Sequence, residues 1–161
     1  MEMQIQKFKS WRQLKVVTNL IEQRISILEN INDKNSLAEL KILKEYKELL
    51  VIELCLTQKE KDLLHFEISI TKQILEENKE DYSEEEILLK RIGEYEKLYS
   101  DGYLIPFSFN ELCLLEELMI EFILSNIDRL NLVDFDNVED IKEKHSNLLM
   151  LYSIKQKLNT L

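Results

Sequence analysis

The sequence predicts an all-α fold, and three observations support this class. Its 161 residues include only two glycines and one proline, too few for a sheet protein with many tight turns. Apolar residues recur at three- and four-residue steps along most of the chain, which is the spacing of amphipathic helices. Leucine, isoleucine, glutamate and lysine are abundant, as in long helices with short connections. A chain of this length is expected to form one domain, residues 1–161.

The first two predicted helices are separated by a polar break. Residues 8–31 follow helical spacing, and residues 32–35 end it. Ser36 precedes Glu39 by three residues, a capping-box spacing that predicts the start of the second helix. Its later part, LLVIELCL at residues 49–56, is apolar almost throughout. Periodicity alone also fits a buried strand there, but helical patterns without turn residues lie on both sides, so we interpret the run as buried helix.

Two further helices are predicted in the middle of the chain. The polar cluster at residues 57–62 marks a bend or a new start, and apolar stripes continue to residue 78. Residues 76–86 are strongly acidic but lack the ligand spacing of a calcium loop, so a solvated connection is favoured over a metal site. Ser83 begins a shorter helix, and Gly102 is expected to end it in a left-handed conformation.

The last part of the chain predicts two long helices. An aromatic loop, YLIPFSF at residues 103–109, leads into a helix within residues 107–131 that Ser108 is expected to cap. This helix is apolar over so wide an arc that it needs cover on two sides. One flank contains Leu112, Leu115, Met119, Phe122 and Ile123, and the adjoining one contains Cys113, Ile120, Leu124 and Ile127. Asp136 is expected to cap the final helix. Because the connecting turn is short, we expect an antiparallel hairpin.

Charge and motifs limit the possible functions. A net charge of −10 argues against nucleic acid and against anionic membrane surfaces as partners. No apolar run approaches the roughly 20 residues of a membrane span, so a cytoplasmic protein is expected. The sequence has no catalytic, metal or cofactor motif, which favours a non-enzymatic protein without a cofactor.

The histidines and cysteines are assigned from the faces on which they lie. His65 points away from the apolar stripes of its helix and is expected at the surface. His145 shares a stripe with Leu149 and Tyr152 that is interpreted as core-facing. It is expected there either as a neutral imidazole with one partner or as a contact for the polar end of a buried ligand. Cys55 and Cys113 lie in apolar runs and are expected to be buried thiols.

The order of the helices resembles the globin fold. Two early helices precede a long one at residues 57–78, a shorter one at 84–100 and a closing hairpin. Arg-Ile-Gly at residues 91–93, followed by Pro106 and the aromatic Phe109, is similar to the pattern of bacterial globin-type sensor domains. The resemblance implies a globin-like bundle of about six to seven helices with a long C-terminal antiparallel hairpin.

Haem is not expected. In the haem-binding members of that family a histidine follows the Ile-Gly pair, whereas Tyr-Glu-Lys occupies residues 95–97 here, so the helix offers no axial histidine. The chain therefore resembles the haem-free globin-like sensor domains of spore-forming bacilli. Stand-alone members of that group inhibit sporulation by competing for the signal of a sensor histidine kinase.

The resemblance implies a small apolar, fatty-acid-like ligand in place of haem. The expected pocket is apolar and aromatic with one histidine, and comprises Phe66, Ile70, Ile92, Tyr95, Tyr99, Phe107, Leu115, Met119, Phe122 and His145. It also implies a homodimer through the last two helices. Their second apolar stripes fit such an interface, with Ile120, Leu124, Ile127, Met150, Ile154 and Leu158. The alternative is an acidic helical inhibitor of a basic partner protein, of the immunity or phage counter-defence type.

Overall fold

Helices dominate the structure, a computed structural model that describes residues 4–94, 102–132 and 136–161. In these ranges the elements are β1 (Gln6–Lys7), α1 (Trp11–Glu29), α2 (Lys34–Lys47), β2 (Leu50–Thr57), α3 (Gln58–Glu77), α4 (Ser83–Glu94), β3 (Gly102–Ser108), α5 (Phe109–Asn131) and α6 (Val138–Asn159). The three strands form one sheet in the order β1-β2-β3. The mostly helical class is confirmed, but the prediction did not include the sheet.

The apolar run predicted as buried helix is the central strand, β2. The prediction was wrong because α3 begins immediately after this run with its own cap. The Thr57 hydroxyl accepts a hydrogen bond from the Glu60 N–H at 3.1 Å, and the Glu60 carboxylate accepts one from the Thr57 N–H at 2.9 Å. This complete capping box ends the extended segment and starts the helix at one residue.

The aromatic segment predicted as a loop is the edge strand β3. Proline has no N–H to donate to a neighbouring strand, so within sheets it occurs mainly on edge strands. The position of Pro106 in β3 fits this preference. Gly102 is the first residue of this strand, and no glycine of the described ranges has a positive φ, so the left-handed conformation expected at Gly102 is not observed. A Cβ atom at Gly102 would lie 3.4 Å from Cys55 Sγ. The Cys55 thiol is exposed rather than buried, because its side chain lies on the open face of β2, and Cys113 is half-buried.

The chain divides into two compact units. Of the described residues, the first unit contains 4–53, 106–110 and 161, and the second contains 54–94, 102–105, 111–132 and 136–160. Strands β2 and β3 each contribute residues to both units. The single domain expected over residues 1–161 stays a prediction.

In the first unit, α1 and α2 connect two parallel strands. Gln6 of β1 lies opposite Leu50 of β2, and the two helices pack against each other. Arg24 of α1 donates two hydrogen bonds to the Glu39 carboxylate of α2, at 2.9 and 3.1 Å. Both side chains are well exposed, so this pair adds little stability compared with the apolar core. That core contains Leu14, Ile25, Leu28, Leu50, Val51, Ile52 and Phe107.

Two helix starts differ from the predicted positions. Asp33 caps α2 by accepting a hydrogen bond from the Ser36 N–H at 2.7 Å, so Ser36 lies inside the helix instead of capping it. Asn137 rather than Asp136 caps α6, accepting from the Asp140 N–H at 3.1 Å. In both cases the side-chain oxygen that caps the helix belongs to a nearby Asp or Asn and not to the residue that was predicted to cap it.

In the second unit, α3 packs against both α4 and α6. The apolar flank of α5 is buried as predicted, with Leu112, Leu115, Met119, Phe122 and Ile123. Helix α6 packs more closely on α3 than on α5. The antiparallel hairpin of α5 and α6 stays a prediction.

The two faces of α6 are the reverse of those predicted. Its buried stripe consists of Leu151, Ile154 and Leu158. Its exposed side includes His145, Leu149 and Tyr152, which were assigned to the core. Both stripes are apolar, so hydrophobic spacing alone cannot choose between them. The ion pair between Lys157 of α6 and buried Glu60 of α3, with Nζ to Oε1 at 2.6 Å, accompanies the observed orientation.

The Glu60–Lys157 pair makes the second unit sensitive to acid. Burial raises the pKa of Glu60, but the hydrogen bonds from Lys157 and from the Thr57 N–H, with the Lys157 charge, leave it below the ordinary value of 4.5. Because the folded-state pKa is lowered, the carboxylate stabilises the fold above pH 4.5, and this contribution is lost as the pH falls through the folded-state pKa.

We expect Glu60→Gln to lower the free energy of unfolding at about pH 7 and to reduce its fall below about pH 4.5. Urea unfolding at both pH values measures this difference. Lys72→Gln, which removes the partner of the exposed Glu86, is the control and should keep the acid dependence of the native protein. An unchanged acid dependence in Glu60→Gln would contradict the assignment.

Candidate functional site

A cleft of about 280 Å³ opens between α3 and α5 in the second unit. It is lined by Glu67, Ile70, Thr71, Ile74 and Leu75 of α3 and by Glu121, Phe122, Ser125 and Arg129 of α5. Three- and four-residue steps place these side chains on one face of each helix. The volume is close to the lower end of the range of about 300–1,000 Å³ for small-molecule sites. The cleft could therefore hold a small ligand, or one end of a longer one.

A buried carboxylate joins the two helices beside this cleft. Glu67 is 3% exposed, and its Oε1 accepts hydrogen bonds from Arg129 Nη1 at 2.9 Å and Asn126 Nδ2 at 3.2 Å. Asn126 also donates to the Phe122 carbonyl at 2.7 Å, which fixes its amide. The negative charge of Glu67 is thus compensated within the site, as burial requires.

Arg129 is the group through which the cleft could recognise a polar ligand. Its side chain is 38% exposed, and a guanidinium has five N–H donors, more than the bond to Glu67 uses. Ile70, Ile74 and Phe122 supply apolar surface in the same cleft. An arginine beside an apolar wall suits an amphiphilic anion, whose carboxylate accepts from the guanidinium while its chain covers the wall.

A larger groove, of about 500 Å³, lies between α1 and α2 in the first unit. Its charges are largely paired across the groove, with Lys47 Nζ 3.4 Å from Glu22 Oε1 and Lys44 Nζ 3.5 Å from Glu29 Oε1. A polar groove of this kind offers an apolar ligand little surface to bury. The α3–α5 cleft is therefore the better candidate site.

The cleft contains two of the predicted pocket residues, Ile70 and Phe122. Four others are completely buried in the core, namely Ile92, Phe107, Leu115 and Met119. Phe66 and His145 are exposed, so neither points into the core as expected. Tyr95 and Tyr99 lie outside the described residues.

Glu67, Asn126 and Arg129 were not predicted as site residues from the sequence. The available signal was a charged residue, Glu67, inside an apolar stretch of α3, with Phe66 before it and Ile68 after it. Such a residue needs a partner when its helix is covered on that side. The partner Arg129 lies 62 positions further along the chain, so local spacing could not identify it.

The predicted dimer residues fall into two groups. Ile120 and Leu124 are exposed, and Ile127 and Met150 are partly so. Ile154 and Leu158 are buried inside the second unit, because α6 packs its stripe against α3. In this orientation of α6, Ile154 and Leu158 offer little surface to a second chain. The homodimer itself stays a prediction.

A metal site and a membrane-spanning helix were both weighed from the sequence. Across residues 4–94, 102–132 and 136–161, no group of three or more His, Cys, Asp or Glu is placed to hold a metal ion. No helix of that same part of the chain combines the length and apolarity needed to cross a membrane.

The resemblance to globin-like sensor domains stays a prediction, and β2 and β3 occupy positions where a helix and a loop were expected. No protein-family model, curated protein or solved structure matches this chain.

Proposed function

We propose that this protein is a non-enzymatic regulator that binds a small apolar acid in the α3–α5 cleft. The observation that supports the proposal is the Arg129 side chain, 38% exposed, beside an apolar wall. The ligand chain covers the accessible surface of Ile70 and Ile74, and each Å² of apolar surface that it covers contributes about 25 cal/mol. The ligand carboxylate accepts hydrogen bonds from those guanidinium N–H groups of Arg129 that are not bonded to Glu67.

Binding at Arg129 is coupled to the contact between two helices. Arg129 on α5 is the cationic partner of Glu67 on α3, at 2.9 Å. A second carboxylate at the guanidinium competes for its positive charge and weakens its attraction for Glu67. Asn126 still donates to Glu67, so the helices stay connected while their electrostatic attraction changes. Occupancy of the cleft thereby alters the surface that a partner would meet.

The output is sequestration of a signalling acid. A binding protein without a catalytic step regulates by lowering the free concentration of its ligand or by changing its own contacts. The resemblance to haem-free globin-like sensor domains implies that a sporulation sensor histidine kinase competes for the same ligand. The globin-like arrangement of the helices belongs to this proposal as well.

Decanoate and 1-decanol test the proposal in calorimetric titrations. They share an apolar chain, and only the acid offers a carboxylate to Arg129. We expect one decanoate per chain, and binding of the alcohol at least about tenfold weaker, because a hydrogen bond to a charged group contributes about 1.5–3 kcal/mol. Ser125→Trp should abolish binding of both, since Ser125 lines the cleft and is exposed, so the indole fills the site without disturbing the core.

The matched control is Ser146→Trp, an exposed serine on α6 that does not line the cleft. It should bind decanoate like the native protein. Equal affinity for the acid and the alcohol would remove Arg129 from the proposal. Decanoate binding that persists in Ser125→Trp would remove the cleft itself.

A further inference from the structure

The α3–α5 cleft has a second charged residue that faces solvent, besides Arg129. Glu121 of α5 lines the cleft and is exposed. It forms no ion pair with any other residue that the structure describes. Lys72 is the only base in the stretch of α3 that lines the cleft, and its Nζ lies 3.4 Å from Glu86 Oε1 of α4. The Glu121 carboxylate is therefore open to a ligand.

Glu121 and Arg129 are the first and last residues of α5 that line the cleft. Eight positions separate them, which corresponds to about 12 Å along a helix axis. Phe122 of α5 and Ile70 and Ile74 of α3 line the same cleft and supply its apolar wall. The cleft thus has a base at one end of its α5 side, an acid at the other end and apolar surface along its length.

The lining residues carry more negative than positive charge. Two of the nine are acids, Glu67 and Glu121, and one is a base, Arg129. A fatty acid with its carboxylate at Arg129 adds another negative charge. It also lays its methyl end towards the Glu121 carboxylate, which then loses contact with water without gaining a partner. A ligand with a positive charge at that end avoids both effects.

We propose that the acid bound in this cleft carries a protonated amine at the far end of its apolar chain. The inference rests on the proposed binding of a carboxylate at Arg129 and adds Glu121 as the partner of the amine. Such an ω-amino acid is a zwitterion at neutral pH, because an alkyl amine has a pKa of about 10. A chain of about ten carbons spans the distance of about 12 Å between the two ends, at roughly 1.2 Å per bond in an extended chain.

Calorimetric titrations with ω-aminodecanoate and decanoate test this inference. The two ligands have the same carbon chain and carboxylate, and only the first has an amine. The ratio of their association constants should be about five times larger for the native protein than for Glu121→Gln, the effect of an exposed ion pair with favourable geometry. Glu121 is exposed and glutamine has a similar size, so the variant should keep the helical circular dichroism of the native protein.

The matched control is Glu117→Gln. Glu117 is exposed one helical turn before Glu121, and it does not line the cleft. The control removes the same charge from the same helix, so it separates pairing with Glu121 from a general change in the charge of α5. Its ratio of the two association constants should equal that of the native protein.

Glu121→Lys should reverse the preference of the cleft. The introduced ammonium group repels the amine of ω-aminodecanoate and attracts a second carboxylate. This variant should therefore bind decanedioate more tightly than ω-aminodecanoate, whereas the native protein should bind ω-aminodecanoate more tightly. The same order of affinities in both proteins would contradict the assignment of Glu121.

The outcomes separate this inference from the proposed function. If decanoate binds and the ratio is the same in the native protein and in Glu121→Gln, the amine is removed from the proposal and the acid site remains. A ratio that falls equally in Glu121→Gln and Glu117→Gln would show a general charge effect and overturn the pairing. If neither ligand binds, the acid site and this inference both fail.

Discussion

Ile154→Asp is expected to unfold the second unit. Ile154 has no exposed surface in α6, so the substitution removes a core side chain and places a carboxylate without a partner among apolar residues. Cavity formation and burial of an unpaired charge together cost more than about 4 kcal/mol, a large part of a total stability of about 5–15 kcal/mol. Circular dichroism during urea unfolding measures the loss.

Leu149→Asp is the matched control for this prediction. Leu149 is on the same helix and is 68% exposed, so its free energy of unfolding should change by no more than about 0.5 kcal/mol. From the sequence alone, Leu149 was assigned to the core and Ile154 to the surface of a dimer interface. A damaging Leu149→Asp and a harmless Ile154→Asp would show that the orientation of α6 is the reverse of the one described.

Arg129→Met is expected to have the second-largest effect on stability. It leaves the Glu67 carboxylate, 3% exposed, with only the Asn126 amide as a partner. Removing one member of a buried ion pair costs about 3–5 kcal/mol, because the remaining charge stays buried. The lower end of this range is expected here, because the Arg129 side chain is 38% exposed. The change in the free energy of unfolding is measured with urea at neutral pH.

Adding Glu67→Gln to Arg129→Met should recover most of this loss, because the double variant buries no uncompensated charge. The control is Lys90→Met, which breaks the exposed pair of Lys90 with Glu94 and should cost less than about 1 kcal/mol. If Arg129→Met were as mild as Lys90→Met, the Glu67–Arg129 pair would not hold α3 to α5.

The sequence was sufficient to predict the helices and part of the core. Helical spacing located α1, α3 and α5, and the buried flank of α5 was predicted correctly. The error at β2 had a signal that was overlooked, since Thr57 and Glu60 have the spacing of a capping box. A cap at Thr57 requires that the apolar run before it lies outside the helix.

The site was less predictable because it depends on partners distant in sequence. The resemblance to globin-like sensor domains implied a pocket containing Ile70 and Phe122, and both line the cleft. Glu67 and Arg129 gave no local pattern that would connect them. The orientation of α6 was also undetermined, because both of its faces are apolar and only contact with α3 distinguishes them.

The position of β2 in the centre of the sheet has a consequence for protein synthesis. One edge of β2 pairs with β1, which is made earlier, but the other pairs with β3, which follows only after α3 and α4. Until β3 leaves the ribosome, a strand as apolar as Leu50–Leu56 has an open edge that another nascent chain could join. We therefore expect unfinished chains of this protein to be prone to aggregation on polysomes, where several copies lie close together.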